Sequence, residues 1–396
     1  MNNAVFLGLC LHICTVIFAQ EAGPYLDLSG AVPAWEKHAF SFEVSPYCKD
    51  RIDEISGEKF KIPTIKIIYD GIPLETKSCK TRGRSTLYFK RKSFSISLLE
   101  PLVLGECEIK RLALNSLVMD QNYYRNRLSF LLMEKIGIFH LENAFTELRI
   151  NGKSAGIYLA IQKPEDYIRS LNSPLLTRRE YKGRYTLEYA SCEDAREQMK
   201  RLRNIPKLTN ALEGQQLFDS LNEVLHMDQY FKWLAFNYLI KNGDYTDELF
   251  LFLASDENRF DIIPWDYDDI FQRQPHESYE RRNKVLDHKL LFSGEAYLDI
   301  VIDQDSILYL KFLNGFQEVL ELLTPEVIKE TFERVYAELY PYYTDMEIIA
   351  QSESDHYGPT VLNILKEDLR HQFYNVLIQR KSIETIIDAE LRRLEE

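Results

Sequence analysis

Asn242-Gly243-Asp244-Tyr245-Thr246-Asp247-Glu248, the apolar run Leu249 to Leu253, a second run Phe260 to Ile263 and then Pro264-Trp265-Asp266-Tyr267-Asp268-Asp269 form the stretch that decides the reading. The two runs predict a small β-hairpin with a turn at Asp256-Glu257-Asn258. A hairpin returns the chain to its starting edge, so the acidic clusters at its two ends become neighbours. Like charges brought together raise one another's pKa. A divalent cation or a reacting group between them would offset that cost. Acidic residues are common in ordinary turns, but Trp265 between Pro264 and Asp266 sets this pair apart.

Upstream, the pattern is β-rich. Ile62 to Tyr69 is β-branched and ends at Asp70-Gly71, and Phe94, Ile96 and Leu98 alternate with Ser93, Ser95 and Ser97, the period of a strand. Tyr123 to Ile136 has helical spacing, with Leu128, Leu131 and Leu132 on one face and Arg125, Arg127 and Glu134 elsewhere; Arg127 is expected at the surface. Asn151-Gly152 marks a hairpin between Glu147–Ile150 and Gly156–Ile161, with a loop longer than two residues. From about Gln215 the chain reads as helical: Phe218 to His226, Gln229 to Ile240, a helix opened by Thr324-Pro325-Glu326 and running to about Tyr340, and Ser382 to Leu394. The expected class is α+β, two-lobed, with a β-rich N-terminal lobe over about 35–165 and an α-rich C-terminal lobe over about 166–396.

Composition supports a packed globular body. Of 396 residues, 45% are hydrophobic, and 48 Lys+Arg against 61 Asp+Glu give a net charge of −13, which disfavours nucleic acid as a partner. The run Ala4 to Ala19 is followed by polar sequence and is short for a membrane span, so residues 1–20 read as a signal peptide although no Lys or Arg precedes the run. The expectation is a secreted or extracytoplasmic (cell-envelope) protein with no membrane span after cleavage. Four Cys would remain, Cys48, Cys79, Cys107 and Cys192, open to three pairings. With no CxxC and no His/Cys ligand spacing, structural zinc is not expected.

A second constellation is basic: Arg82-Gly83-Arg84-Ser85-Thr86 leads into Lys90-Arg91-Lys92-Ser93-Phe94. A turn at Gly83 would offer backbone N–H groups to an anion beside Arg82, Arg84 and Ser85. The alternation from Phe94 places Lys92 on the inward face, where an ammonium would meet phosphate oxygens, whereas Lys90 and Arg91 read as solvated edge residues. Cations on a β lobe facing paired carboxylates are the layout of phosphoryl transfer. GxGxxG, GxxxxGK[ST], HRD and DFG are all absent, which excludes P-loop NTPases and ordinary protein kinases.

These pieces, taken in order with Asp120 to Leu128, which contains Arg125, and with Asn151-Gly152 to Gly156-Ile157-Tyr158-Leu159, span roughly residues 60 to 300. The ordered set resembles the spore-coat CotH family of atypical, secreted protein kinases. The resemblance implies a kinase-like fold that uses ATP with Mg²⁺ or Mn²⁺ to phosphorylate Ser or Thr of exported proteins. It implies that Lys92 contacts the ATP phosphates, with Arg125 as a further contact, that Asp244 is the catalytic-loop carboxylate, and that Asp266 binds metal with Asp268 as a second ligand. Two departures stand out. The position five after Asp244, where ordinary kinases place a metal-binding Asn, is Leu249, which leaves Asp247 or Glu248 to substitute, and Gln162 stands where a Glu is expected after the Tyr-Leu strand. The competing functions are a non-catalytic coat or envelope scaffold of the same shape and a metal-dependent phosphoesterase.

Overall fold

The alternating segments pair into one large sheet. In a computed structural model, which describes residues 24–28, 35–180, 184–254, 258–277 and 290–395, its strands are β1 (Ala39–Val44), β2 (Lys61–Ile62), β3 (Ile65–Tyr69), β4 (Ile72–Leu74), β5 (Thr76–Arg82), β6 (Ser93–Leu104), β7 (Cys107–Asn115), β8 (Asn143–Ile150) and β9 (Lys153–Gln162). The expected signal run and the turn residues Asp256 and Glu257 lie outside the described residues. The strand order is β2-β5-β6-β7-β9-β8-β1-β3-β4, antiparallel except where β1 joins β8. Phe94, Ile96, Leu112, Leu114, Tyr158 and Phe42 point to one side and form a small core with Cys48 and Ile52 of α1 (Pro46–Asp53). Full burial of each large side chain there contributes roughly 1.5–3 kcal/mol.

The other face of β5 to β7 is polar. Register pairs Arg82 with Ser93, Lys80 with Ser95 and Arg111 with Ser97, and the Lys163 amide donates to the Arg111 carbonyl at 2.9 Å. With a side-chain period of two, these residues share one surface.

A second sheet, β10 (Leu175–Glu180), β11 (Arg184–Ala190), β12 (Leu249–Leu253) and β13 (Phe260–Pro264), runs β11-β10-β12-β13. The expected acidic hairpin is thus the outer half of a four-stranded sheet. Helices supply the rest: α2 (Arg125–Lys135), then α3 (Met227–Leu239), α4 (Ser306–Leu322), α5 (Pro325–Tyr343) and α6 (Leu362–Glu395) are the longest among the described residues. The α+β expectation, β-rich first and helical later, holds. The Thr324 hydroxyl accepts from the Val327 amide at 3.3 Å and caps α5 as its Thr-Pro-Glu start implies.

Three expectations are corrected. Asn151 (φ 51°) and Gly152 (φ 81°) alone make the β8–β9 turn, so the loop has two residues and the strand resumes at Lys153. Ser382–Leu394 is the last third of the 34-residue α6. Arg127 is 6% exposed rather than at the surface. Its guanidinium meets the Glu338 carboxylate through two bonds of 2.8 and 2.9 Å, which draws α2 onto α5.

Candidate functional site

Hairpin register brings the two acidic clusters together. Leu249 pairs with Pro264 and the Trp265 amide donates to the Glu248 carbonyl at 3.0 Å, so Asp266 leaves β13 beside Asp247 and Glu248. Single ligand oxygens of Asp244, Asp247 and Glu248 lie within 4.8 Å of one another. Asp244 is set by a relay from α3: Asn242 bonds Asn237 through its side chain at 3.0 Å, and its own carbonyl oxygen Oδ1 accepts the Asp244 amide at 3.1 Å. Asn126 of α2 accepts the Tyr267 amide at 2.8 Å, and the Tyr267 hydroxyl accepts the Trp233 indole N–H at 3.0 Å. Buried partners from two helices therefore hold Tyr267, between Asp266 and Asp268, by its amide and by its hydroxyl.

Asp266 itself sits at φ 54°, in the left-handed region, as do Lys241 (φ 49°) and Phe271 (φ 65°) in the adjoining loops. For residues with a Cβ this costs roughly 1–2 kcal/mol each. Gly243 runs so close to the second loop that a Cβ there would lie 2.3 Å from Asp269 Oδ2, and its amide donates to the Asp269 carbonyl at 2.9 Å.

Electrostatics follow from this crowding. Burial, then Asp247, push Asp244 up to about 6, with His276 opposing the rise. Burial and then Asp266 hold Glu248 well above the carboxylate range, and burial with Asp266 and Asp120 does the same to Asp268. Asp266 is raised by burial and drawn back by Arg82 and Arg178. Among the described residues no donor binds the side chains of Asp244, Asp247, Asp266 or Asp268. The three whose oxygens converge, Asp244, Asp247 and Glu248, fit a hard divalent cation, which takes carboxylate ligands, whereas Asp266 and Asp268, expected as metal ligands, lie beside that group and not within it.

The opposite wall is cationic. Arg82 donates to Asn115 Oδ1 at 2.8 Å and lies over the Trp265 ring at 5.4 Å. Trp265 therefore packs beneath the site. Arg178 of β10, which no sequence pattern marked, donates to Glu248 at 2.8 Å. Lys163 was missed as well: it is half-buried, donates to Ser95 Oγ at 3.1 Å, and is lowered to about 8 by burial and then by Arg82. His276, 3.0 Å from Asp269, completes the rim on the acidic side.

Other expected residues are placed elsewhere. Lys92 is corrected: its ammonium donates to the carbonyls of Leu87 (2.6 Å) and Phe89, and the charges that act on it are Asp53 and Glu54. A buried ammonium must find acceptors, and the turn of Ser85–Tyr88 supplies them locally. Arg91, expected at the surface, is buried in an ion pair with Asp355. Arg84 and Ser85 are exposed and line a second cavity with Gly83, where φ is +105° and a Cβ would fall 1.9 Å from Thr86 Oγ1. Arg125 is buried and donates to the Asp268 backbone carbonyl at 3.3 Å. Leu249, fully buried in β12, offers no ligand atom.

Fold and cleft together define a two-lobed α+β protein whose unpartnered carboxylates face Arg82 of the large sheet and adjoin Arg178 of their own sheet. A model of the CotH kinase protein family matches residues 79–357, more than half of the sequence, and the chain belongs to that family. It is similar to inner spore coat protein H of Bacillus subtilis (strain 168), 27% identical over 215 residues that cover 49% of this chain and 59% of that protein. The chain thus matches less than two thirds of that relative's length. Among solved structures it is similar to the Helicobacter pylori proinflammatory kinase CtkA (TM-score 0.36, 10% identity, 76% of this chain and 94% of that one). It is also similar to a chain of the Shewanella oneidensis MR-1 toxin–antitoxin complex of HipA, HipB and operator DNA (TM-score 0.32, 11% identity, 96% and 80%).

Proposed function

We propose that this kinase-like protein is an ATP-dependent phosphotransferase that delivers the γ-phosphoryl group to Ser or Thr of an exported protein, in an envelope or coat setting. The observation that carries this is the set of four carboxylates without side-chain donors among the described residues, with Arg82 and Arg178 close to them. Asp247 and Glu248 of the convergent group, with Asp266 and Asp268 beside them, would hold Mg²⁺ or Mn²⁺, which when bound neutralises phosphate charge. Asp244, the third member of the convergent group, would accept the proton of the attacking hydroxyl. Arg82 and Lys163 take the role first expected of Lys92, with Arg84 and Ser85 at the outer lip of the turn. The coat setting is supported by the relative's name and export by the apolar N-terminal run. The test is transfer of label from γ-labelled ATP, with Mn²⁺, to a Ser-rich acceptor. Label released to water with none on the acceptor would instead mark a phosphoesterase.

The lysine assignment gives a prediction with its own readout. Nucleotide that binds the folded chain raises its melting temperature by mass action. Lys163→Met is expected to weaken that response by about tenfold in apparent Kd, as loss of one charge-assisted contact does. Lys92→Met, although destabilised, should keep the increment. The reverse pattern would return the role to Lys92.

A non-catalytic scaffold of the same shape is the second reading, favoured by buried Leu249 at the position of the metal-binding Asn and by Lys92 being spent on backbone carbonyls. It predicts no change of melting temperature with ATP and Mn²⁺ in the unaltered chain.

A further inference from the structure

A cavity of about 620 Å³ adjoins the loop that follows Asp266, and none of its lining residues is Asp or Glu. In a chain of net charge −13 that composition is unusual. Its lining includes Arg125, Lys241, Arg273 and His371, with Gln121 and Tyr357 beside them. The three permanent cations come from three separate elements: the first turn of α2, the turn after α3, and the loop after Asp269. Those last two are laced together, the Phe271 amide donating to the Ile240 carbonyl at 2.9 Å and the Gln272 amide to the Lys241 carbonyl at 3.0 Å. Their convergence is therefore fixed by backbone bonds.

Two of the three charges are not spent on the protein. Lys241 and Arg273 have no side-chain partner among the described residues. Arg125 is 5% exposed and donates through Nη1 to the Asp268 carbonyl and through Nη2 to Gln121 at 2.9 Å, yet its buried Nε–H has no acceptor. A buried charged donor left unpaired is costly. The carboxylates around Arg125 form no ion pair with its guanidinium: Asp120 accepts from the amides of Arg125 and Asn126, Asp368 from Asn122, Tyr124 and Gln372, and Asp269 from Gln272 while pairing with His276.

We propose that this cavity binds a phosphoryl dianion carried on a peptide, held by Arg125, Lys241 and Arg273. The Arg273 guanidinium, whose fork is free among the described residues, and the Lys241 ammonium match the oxygens of a phosphoryl group, and Arg125 adds a third positive charge behind them. The volume lies in the range of sites that enclose a whole ligand, about 300–1,000 Å³. A phosphoryl group alone leaves most of it unfilled, and Gln121, Gln372 and Gln379 on the walls offer amide groups to a peptide backbone. The occupant would also brace the carboxylate loop, because Arg125 already holds the Asp268 carbonyl. Binding here requires neither ATP nor transfer, so it stands apart from the phosphotransferase reading.

The test uses the full chain and three probes: a phosphoserine peptide, its unphosphorylated twin, and inorganic phosphate, with affinity read by fluorescence anisotropy or competition. The phosphopeptide is expected to bind about tenfold or more tightly than either comparator, the difference expected of a charge-assisted contact. Lys241→Glu and Arg273→Glu should each weaken it by a similar factor or more. Both reversed side chains lack partners among the described residues, and thermal melts check that the variants fold. Unchanged affinity in both reversals overturns the site. A phosphopeptide no tighter than inorganic phosphate overturns the peptide assignment.

Discussion

Transfer of label from γ-labelled ATP to a Ser-rich acceptor is expected to fall by about a hundredfold or more in Asp266→Ala, since charge stabilisation of the transferred group is worth several kcal/mol. The fold should survive. Asp266 is half-buried among Asp247, Glu248 and Asp268, with Arg82 and Arg178 as the cations that act on it among the described residues. Removing one negative charge relieves repulsion, so the variant should melt no lower than the parent without divalent cation, and Mn²⁺ should raise its melting temperature less. Transfer at the parental rate would sink the assignment, and a parental Mn²⁺ response would move the cation elsewhere.

The same crowding fixes a pH dependence. Native Asp244 is raised to about 6, and Glu248 and Asp268 stand well above the ordinary range, whereas unfolded carboxylates titrate near 4. Over the interval between those values the folded chain binds more protons than the unfolded one, so its stability falls as pH rises. Without divalent cation the melting temperature should therefore drop from about pH 4 through about pH 6 and go on falling above it, with Asp120, raised to about 7 by burial, adding to the slope, and Mn²⁺ should restore it most at the upper end. Carboxyls held low by cations, such as Glu338 and Glu165, lose their contribution only at or below the usual carboxylate range and do not mask this slope. A flat profile would mean that the cluster carries no net repulsion.

How much of this could be read beforehand depends on the range of the interaction. The acidic hairpin was legible because two-residue periodicity and chain return are local: Leu249–Leu253 and Phe260–Pro264 pair as the pattern implies, and Asp266 comes to Asp247 by register alone. Arg82 was legible through Gly83, whose positive φ marks the turn that ends β5. Lys92 misled because a strand's alternation says which face a side chain leaves from, not whether a neighbouring turn offers carbonyls first. Lys163 and Arg178 gave no signal. Each enters the cleft through strand pairings that connect residues tens of positions apart, β7 with β9 and β10 with β12. The second sheet was half hidden for the same reason, since β10 and β11 carry few apolar residues in alternation and are recruited by the hairpin.

Arg127→Met is expected to destabilise the fold by about 3–5 kcal/mol, the largest effect of any single change considered, because it strands a buried carboxylate. Glu338 is 7% exposed, and Arg127 holds its carboxyl below the ordinary range despite burial. Arg334 donates to Glu338 Oε1 at 2.9 Å but is itself half exposed, so it cannot replace a guanidinium that grips both oxygens. Arg127 also donates to the carbonyl and side chain of Asn143 at the start of β8, so one side chain joins α2, α5 and the large sheet. The double variant Arg127→Met/Glu338→Leu should recover most of the loss, since an apolar pair of similar volume needs no desolvation of charge. Denaturant melts of the three variants decide the matter. If the single variant loses less than about 1 kcal/mol, the worth of an exposed pair, water reaches Glu338. The tie between α2, which carries Arg125, and the helical half would then rest on apolar packing instead.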